Sequence, residues 1–147
     1  ERVIPKADIL TPNLPEAEAL ANRQGNSAAD AEALAQTLLA LGPQAVLLKG
    51  GHRDGAMVFD LLMSVSGRVQ SFENPRIKTV HTHGTGCSLA SAIATGLAQN
   101  LDLSSAVSRG RDYVWEAIRT APGYGNGHGP LNHGHTVSIF REDQLSR

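Results

Sequence analysis

The only cysteine of the chain, Cys87, directly follows three small residues, Gly84, Thr85 and Gly86. The residues from Gly86 to Gln99 have apolar side chains at helical spacing, so the glycines lead into a predicted helix. Glycine permits positive φ angles, and the start of a helix has N–H groups without partners and the positive end of the helix dipole. Such a place suits a phosphate or a developing anion. The alternative is an ordinary glycine-rich turn.

Cys87 is predicted to lie in or near the first turn of this helix, a setting that favours the thiolate. The sequence is compatible with three roles for Cys87: a nucleophile, a general base or a packing residue. Packing is the commonest role of an isolated cysteine. The stretch is not a Walker motif, because no Lys-Ser or Lys-Thr pair follows the glycines.

Asn13 and Glu16 follow a predicted strand at residues 7–13 and have the spacing of a capping box at the start of a helix. The capping box explains this spacing fully. The alternative is that Glu16, at the carboxyl end of a parallel strand, holds Mg²⁺ through water. The sequence leaves both interpretations open.

Lys49 and His52 come at the end of another predicted strand, AVLLK, next to a Gly-Gly turn. A lysine in this place suits a phosphate contact, and the alternative is a solvated strand end. A later loop contains His128, His133 and His135, but no cysteine or carboxylate accompanies them at zinc-site spacing. We therefore expect a loop that covers a ligand and not a metal site.

The elements around these residues predict an α/β fold. AVLLK is a short apolar run without alternation, which is typical of a strand covered on both faces in a parallel sheet. Two further strands are predicted on either side of Ser66-Gly67 as a hairpin, with about four helices and four to six strands in all. Helices alternating with strands indicate a mainly parallel sheet.

Composition restricts the partners and the compartment. The 147 residues carry a net charge of −1, so there is no basic excess to attract nucleic acid or an anionic membrane. A single cysteine excludes an internal disulfide and suits a reducing, cytoplasmic location. No apolar run approaches the length of a transmembrane helix.

Four stretches of the chain carry a resemblance to a known family: TPNLPEAEAL, AVLLKGGH, THGTGCSLASAIATGLA and GHGPLNH. Together they resemble the C-terminal part of the hydroxymethylpyrimidine/phosphomethylpyrimidine kinases of thiamine biosynthesis, in the ribokinase-like superfamily. They occur in the order of that family, with similar spacing, over residues 9–133. The cysteine of THGTGC is specific to this branch, and most other branches have an aspartate there.

The resemblance implies phosphoryl transfer from ATP to the hydroxymethyl group of 4-amino-5-hydroxymethyl-2-methylpyrimidine, followed by a second transfer to the monophosphate. It also implies that residues 1–135 are the C-terminal part of a ribokinase-like three-layer αβα sandwich with a mainly parallel sheet. Residues 136–147 are then an unassigned tail. Related kinases are often dimers, so a homodimer is expected to be possible.

Roles follow residue by residue where the motifs match. The resemblance implies that Gly84, Thr85 and Gly86 form the anion hole for the transferred phosphoryl group and that Cys87 is the candidate base for the attacking hydroxyl. It implies that Asn13 and Glu16 position Mg²⁺ and the phosphates. It implies nucleotide contacts for Lys49, His52 and Thr82.

Two departures from the family accompany the resemblance. The family's N-terminal half, with most of the pyrimidine pocket, is absent, so we expect this chain alone to be inactive and to need that half as a partner. His81 and Ser88 stand where the family often has Asn and Thr. Two other functions stay open: a pyridoxal or pyridoxine kinase of the same superfamily, and a non-catalytic nucleotide-binding domain.

Overall fold

The computed structural model describes residues 3–24, 27–50 and 55–137. The chain divides into two compact units, Glu1–Arg76 and Ile77–Arg147. The described part of the first unit contains α1 (Leu14–Ala21), α2 (Ala28–Leu39), β1 (Ala45–Lys49), β2 (Met57–Ser64) and β3 (Val69–Pro75), and that of the second contains α3 (Thr85–Ala98) and α4 (Leu103–Arg119). Short 3₁₀ helices lie at Ile4–Lys6 and His133–Thr136. None of the helices in these ranges combines the length and the apolar character that crossing a membrane requires.

The first unit is built on a three-stranded sheet in the order β1-β2-β3. Both neighbouring pairs are antiparallel, with Leu47 opposite Leu62 and Leu62 opposite Gln70. The turn between β2 and β3 contains Gly67 at φ 80°, which confirms the predicted hairpin.

Helices α1 and α2 pack on one face of this sheet. Leu34 and Leu38 of α2 are fully buried against Val46 and Leu48 of β1, and Ala17 of α1 joins the same core. Both helices begin with a capping box, Asn13 with Glu16 and Ser27 with Asp30, as their sequences predict.

The prediction of a three-layer αβα sandwich with a mainly parallel sheet is wrong, because the sheet is antiparallel. β1 is buried on both faces as expected, but burial does not determine strand direction. Only residues 50–56 separate β1 from β2, which is too short for the crossover that a parallel pair needs. Among residues 3–24, 27–50 and 55–76, parallel pairing is limited to two bridges, Leu10 with Val46 and Asn13 with Lys49.

Several smaller predictions also differ from the structure. Residues 7–13 run beside β1 but form only those two bridges and not a full strand. The sequence also predicts a short strand at PRIKTV, but residues 76–80 form none. A further short strand is predicted at TVSIF, which extends beyond residue 137 and so lies partly outside the described residues.

In the second unit, α3 and α4 pack closely because small residues meet where they cross. A Cβ atom added to Gly96 of α3 would lie 2.9 Å from the Cβ of Ala106 on α4. Leu89 and Ile93 are buried. The helical spacing also predicts a second stripe of small residues beside them, which includes Ala90 and Ala94, but both are exposed. Asp102 caps α4 as predicted, its Oδ1 accepting from Ser105 N–H at 3.1 Å.

Candidate functional site

The start of α3 has backbone donors without acceptors. Gly84 is the N-cap residue, with φ 88° and ψ 0°, and no side chain caps the helix. The N–H and Oγ1–H of Thr85 both donate to the carbonyl oxygen of Thr82, at 3.3 and 2.7 Å. The N–H groups of Gly86 and Cys87 have no acceptor among the described residues. We call residues 84–87 the glycine cradle.

The electrostatics of the glycine cradle favour an anion. α3 is 14 residues long and has no acidic residue in its first turn. A helix terminus of this kind carries a partial charge of about +0.5. Because no carboxylate of that turn offsets it, the cradle combines partial positive charge with free donors.

Cys87 lies in the first turn of α3, as predicted, and its side chain is exposed. With Ser88 it lines an open cleft of about 990 Å³ in the second unit, and Tyr113 and His133 line the same cleft. An exposed thiol does not fill a core, so the packing role left open by the sequence does not fit. A nucleophile or a proton acceptor remains compatible with this position.

Thr82 contributes to the glycine cradle through its backbone carbonyl, and its side chain is exposed. The histidines of the later loop do not form a metal site: within residues 3–24, 27–50 and 55–137 no group of three His, Cys, Asp or Glu side chains is arranged to hold a metal ion. His133 instead contacts the Tyr113 hydroxyl through Nδ1 at 2.9 Å.

In the first unit, the structure brings three predicted site residues together. Glu16 N–H donates to Asn13 Oδ1 and Asn13 N–H donates to Glu16 Oε2, both at 2.8 Å. Asn13 pairs in a bridge with Lys49, whose N–H donates to the carbonyl of Pro12 at 2.9 Å. The Oε1 atom of Glu16 has no partner among the described residues. His52 lies outside the described residues.

Gly50, which directly follows Lys49, was not singled out in the sequence, yet the structure requires a glycine there. Its N–H donates to Oδ1 of the buried Asp60 at 2.8 Å. A Cβ atom at residue 50 would overlap the carbonyl oxygen of Phe59. The position therefore requires glycine because a neighbouring backbone lies too close for any side chain.

Replacing Gly50 by alanine is expected to lower the free energy of unfolding of the first unit by about 2–3 kcal/mol, because a backbone oxygen cannot move aside as a side chain can. Gly127→Ala is the control, since a Cβ there would meet nothing within 4 Å. The urea concentration at the midpoint of unfolding measures the stability of the two variants. A Gly50→Ala variant as stable as Gly127→Ala would show that β1 and β2 do not approach as described.

Comparison with known proteins gives a family match over almost the whole chain. The model of the family described as phosphomethylpyrimidine kinase matches residues 1–132. The bifunctional thiamine biosynthesis protein ThiED of Geobacter sulfurreducens is 44% identical over 133 residues, which are 90% of this chain and 27% of that protein. The hydroxymethylpyrimidine/phosphomethylpyrimidine kinase of Bacillus subtilis is 39% identical over 134 residues, 90% of this chain and 49% of that protein. The chain thus spans about half the length of the relatives with this name, or less for the bifunctional protein.

Solved structures are similar to most of the chain, as two examples show. The pyridoxal kinase of Staphylococcus aureus, in complex with AMP-PCP and pyridoxal, has a TM-score of 0.86 at 29% identity and covers 93% of this chain and 52% of its own. The phosphomethylpyrimidine kinase of Clostridium difficile has a TM-score of 0.66 at 34% identity, with 79% and 45% covered. The family match covers most of the chain, and we conclude that the chain belongs to the phosphomethylpyrimidine kinase family.

Proposed function

We propose that the protein containing this chain transfers a phosphoryl group from ATP to the hydroxymethyl group of 4-amino-5-hydroxymethyl-2-methylpyrimidine, and a second one to the resulting monophosphate. The observation that carries the proposal is the glycine cradle, with the free N–H groups of Gly86 and Cys87 at an uncompensated helix terminus. The family and the names of its members supply the substrate class.

The glycine cradle fits the transferred phosphoryl group of ATP. Phosphoryl transfer depends mainly on positioning and on stabilising charge on the phosphoryl oxygens. Backbone N–H donors at a helix start supply that stabilisation without reorganising during the reaction. Gly84 and Gly86 have no side chain beyond a hydrogen atom, and the Thr85 hydroxyl donates to the carbonyl of Thr82. No bulky side chain of residues 84–86 therefore covers the donors.

Cys87 is assigned the role of accepting the proton of the attacking hydroxyl group. As the hydroxyl oxygen forms its bond to phosphorus, its proton passes to the sulfur of Cys87 in its thiolate form, and the bond from phosphorus to the bridging oxygen breaks as ADP leaves. The exposed thiol lies in the same helical turn as the free donors, which supports this role. No covalent intermediate on sulfur is needed.

Asn13, Glu16 and Lys49 are assigned to the Mg²⁺ and triphosphate. The free Oε1 of Glu16 is the kind of oxygen that Mg²⁺ binds, directly or through water. The ammonium of Lys49 suits a phosphate oxygen, and Thr82 and His52 are assigned to the nucleotide as well. Bound Mg²⁺ would offset negative charge on the triphosphate. Use of ATP is consistent with the cytoplasmic location proposed from the single cysteine.

Glu16→Gln separates the two roles of Glu16. A glutamine at this position keeps the capping box, so the stability should stay within about 0.5 kcal/mol of wild type. Activity should require roughly tenfold more Mg²⁺ because one anionic ligand is lost. Asp30→Asn, in the second capping box, is the matched control. If both variants have the same Mg²⁺ dependence in a kinase assay, Glu16 only caps α1.

A further part of the protein is proposed to complete the site. The backbone N–H and C=O groups of Ile9 and Thr11, on the side of this segment away from β1, have no partners among the described residues. An extended segment with open backbone groups of this kind can pair with a strand. The chain spans about half of its relatives, and we propose that the family's N-terminal half pairs there and supplies the pyrimidine pocket. A homodimer stays a prediction.

Pyridoxal is the second candidate substrate, because the solved structures of Staphylococcus aureus with a TM-score of 0.86 are pyridoxal kinases. The test is turnover of both alcohols by the complete protein with MgATP. The proposal expects a higher kcat/KM for the hydroxymethylpyrimidine than for pyridoxal, and the reverse order would favour the second candidate. Stabilisation by ATP without any phosphorylated product would indicate a non-catalytic nucleotide-binding protein.

A further inference from the structure

We infer that Gly129 and His81 are positioning residues that hold the chain entering α3, and with it the glycine cradle, in the geometry that binds phosphate. The inference deepens the proposed function and rests on it. It concerns residues that touch neither the free donors nor Cys87.

Two backbone groups of Gly129 contact the segment just before the cradle. The Gly129 N–H donates to Nδ1 of His81 at 3.2 Å, and the Gly129 carbonyl accepts from the N–H of His83 at 3.4 Å. His83 also pairs with Pro130 in a parallel bridge. We call these contacts the His81 latch.

The neighbouring residue adds a third contact. His128 Nδ1 lies 3.0 Å from the carbonyl oxygen of Val80, and because a carbonyl only accepts, this nitrogen carries the proton. In His81 the role of the same atom is the opposite, since Nδ1 accepts from a backbone N–H. The Nδ1 atoms of the two histidines thus have opposite hydrogen-bonding roles.

The other end of the loop is anchored on α4. Leu131 is buried, and the N–H of Asn132 donates to the carbonyl of Ala117 at 3.0 Å. The Asn132 amide also donates to Thr120 Oγ1 at 3.1 Å. The loop thus connects the body of the second unit to residues 80–83.

This connection matters because the other hydrogen bonds at the start of α3 are local. Gly84 has a left-handed conformation and no side-chain cap. Its carbonyl oxygen accepts from the N–H and Oγ–H of Ser88, and Thr85 donates to the carbonyl of Thr82, so these bonds do not connect residues 80–83 to the later loop. Without the His81 latch, residues 80–83 would move and would carry the free N–H groups of Gly86 and Cys87 with them. A displacement of about 1 Å in a positioning element is enough to lower a rate by about 100-fold.

The surroundings of Gly129 leave no room for a side chain. A Cβ atom there would overlap Nδ1 of His81 and would lie 3.0 Å from the carbonyl oxygen of Tyr124. Gly129 is not among the residues with positive φ, so an alanine would not be strained by its backbone conformation. The severest contact of Gly129→Ala is therefore with His81, and the contact with the Tyr124 carbonyl oxygen is the weaker second one.

The experiment measures kcat, the KM for ATP and, in the complete protein, hydrogen exchange of the His83 and Thr85 amides, which donate to the carbonyls of Gly129 and Thr82. Gly129→Ala should lower kcat by about 10- to 100-fold, with a smaller change in the KM for ATP, and should speed exchange of the two amides. Gly127→Ala is the control in the same loop, since a Cβ there meets nothing within 4 Å, and it should match wild type.

Two further variants make the test specific. In His81→Ala/Gly129→Ala the ring that causes the overlap is gone, so the double variant should be more active than Gly129→Ala alone. His81→Ala alone removes the acceptor without overlap and should show faster amide exchange even if Gly129→Ala fails to fold.

Equal kcat and equal amide exchange in the Gly129→Ala, His81→Ala and Gly127→Ala variants would overturn the latch. A fall in melting temperature alone, with unchanged kcat, would reduce the contact to a structural one and also contradict the inference. If wild-type protein phosphorylates neither alcohol, the proposed function fails, while amide exchange still decides whether the latch holds the cradle.

Discussion

Cys87→Ser is expected to lower kcat by about 100-fold or more while the Kd for ATP changes by less than about threefold. The hydroxyl of serine is a far weaker proton acceptor than a thiolate, whereas the N–H of residue 87 remains in place for the phosphoryl group. Because Cys87 is exposed, the free energy of unfolding should stay within about 0.5 kcal/mol of wild type. Single-turnover kinetics and calorimetric titration with ATP measure the two effects separately.

Cys87→Asp is the informative companion, because the resemblance places an aspartate at this position in most other branches of the superfamily. A carboxylate can accept a proton but cannot act as a sulfur nucleophile. Cys87→Asp should therefore recover a large part of the activity that is lost in Cys87→Ser. An unchanged kcat in Cys87→Ser would remove the thiol from the mechanism. Loss of activity in both variants would favour a covalent role for sulfur.

Gly84→Ala is expected to reduce kcat by about 100-fold. Alanine disfavours the left-handed conformation at φ 88°, so the substitution should turn the first N–H groups of α3 away from the phosphoryl group. The cost in stability should be about 1–2 kcal/mol. A Cβ at residue 84 would meet nothing within 4 Å, so the effect is one of backbone conformation and not of collision.

Gly67→Ala is the matched control for Gly84→Ala. Gly67 has nearly the same φ, 80°, and equally open surroundings, but it lies in the β2–β3 turn. Both variants should lose similar stability, and only Gly84→Ala should lose activity. Equal activity of the two would count against the glycine cradle. Gly86→Val adds bulk at the cradle itself and should obstruct the approach of phosphate.

Features set by neighbours in sequence were predictable. The capping boxes at Asn13 and Ser27 depend on a residue three positions later, and both form as expected. The position of Cys87 in the first turn of α3 followed from the glycines before it and the helical spacing after it. These features depend on short stretches of chain, so a single sequence carries the whole signal.

Features set by distant residues were not predictable in the same way. The apolar run of β1 indicated burial on both faces, but not that its hydrogen-bonded partner is the antiparallel β2. The short segment between the two strands was the available signal for that pairing. The requirement for glycine at residue 129 depends on His81, 48 positions away, and no local pattern could show it.

The most direct test of the central claim is amide NMR of the complete protein with MgADP and aluminium fluoride, a planar mimic of the phosphoryl group in transfer. If the glycine cradle receives that group, the N–H resonances of Gly86 and Cys87 will shift downfield more than those of other α3 residues, and their hydrogen exchange will slow. Unchanged resonances for both amides, in a protein that binds the complex elsewhere, would contradict the account.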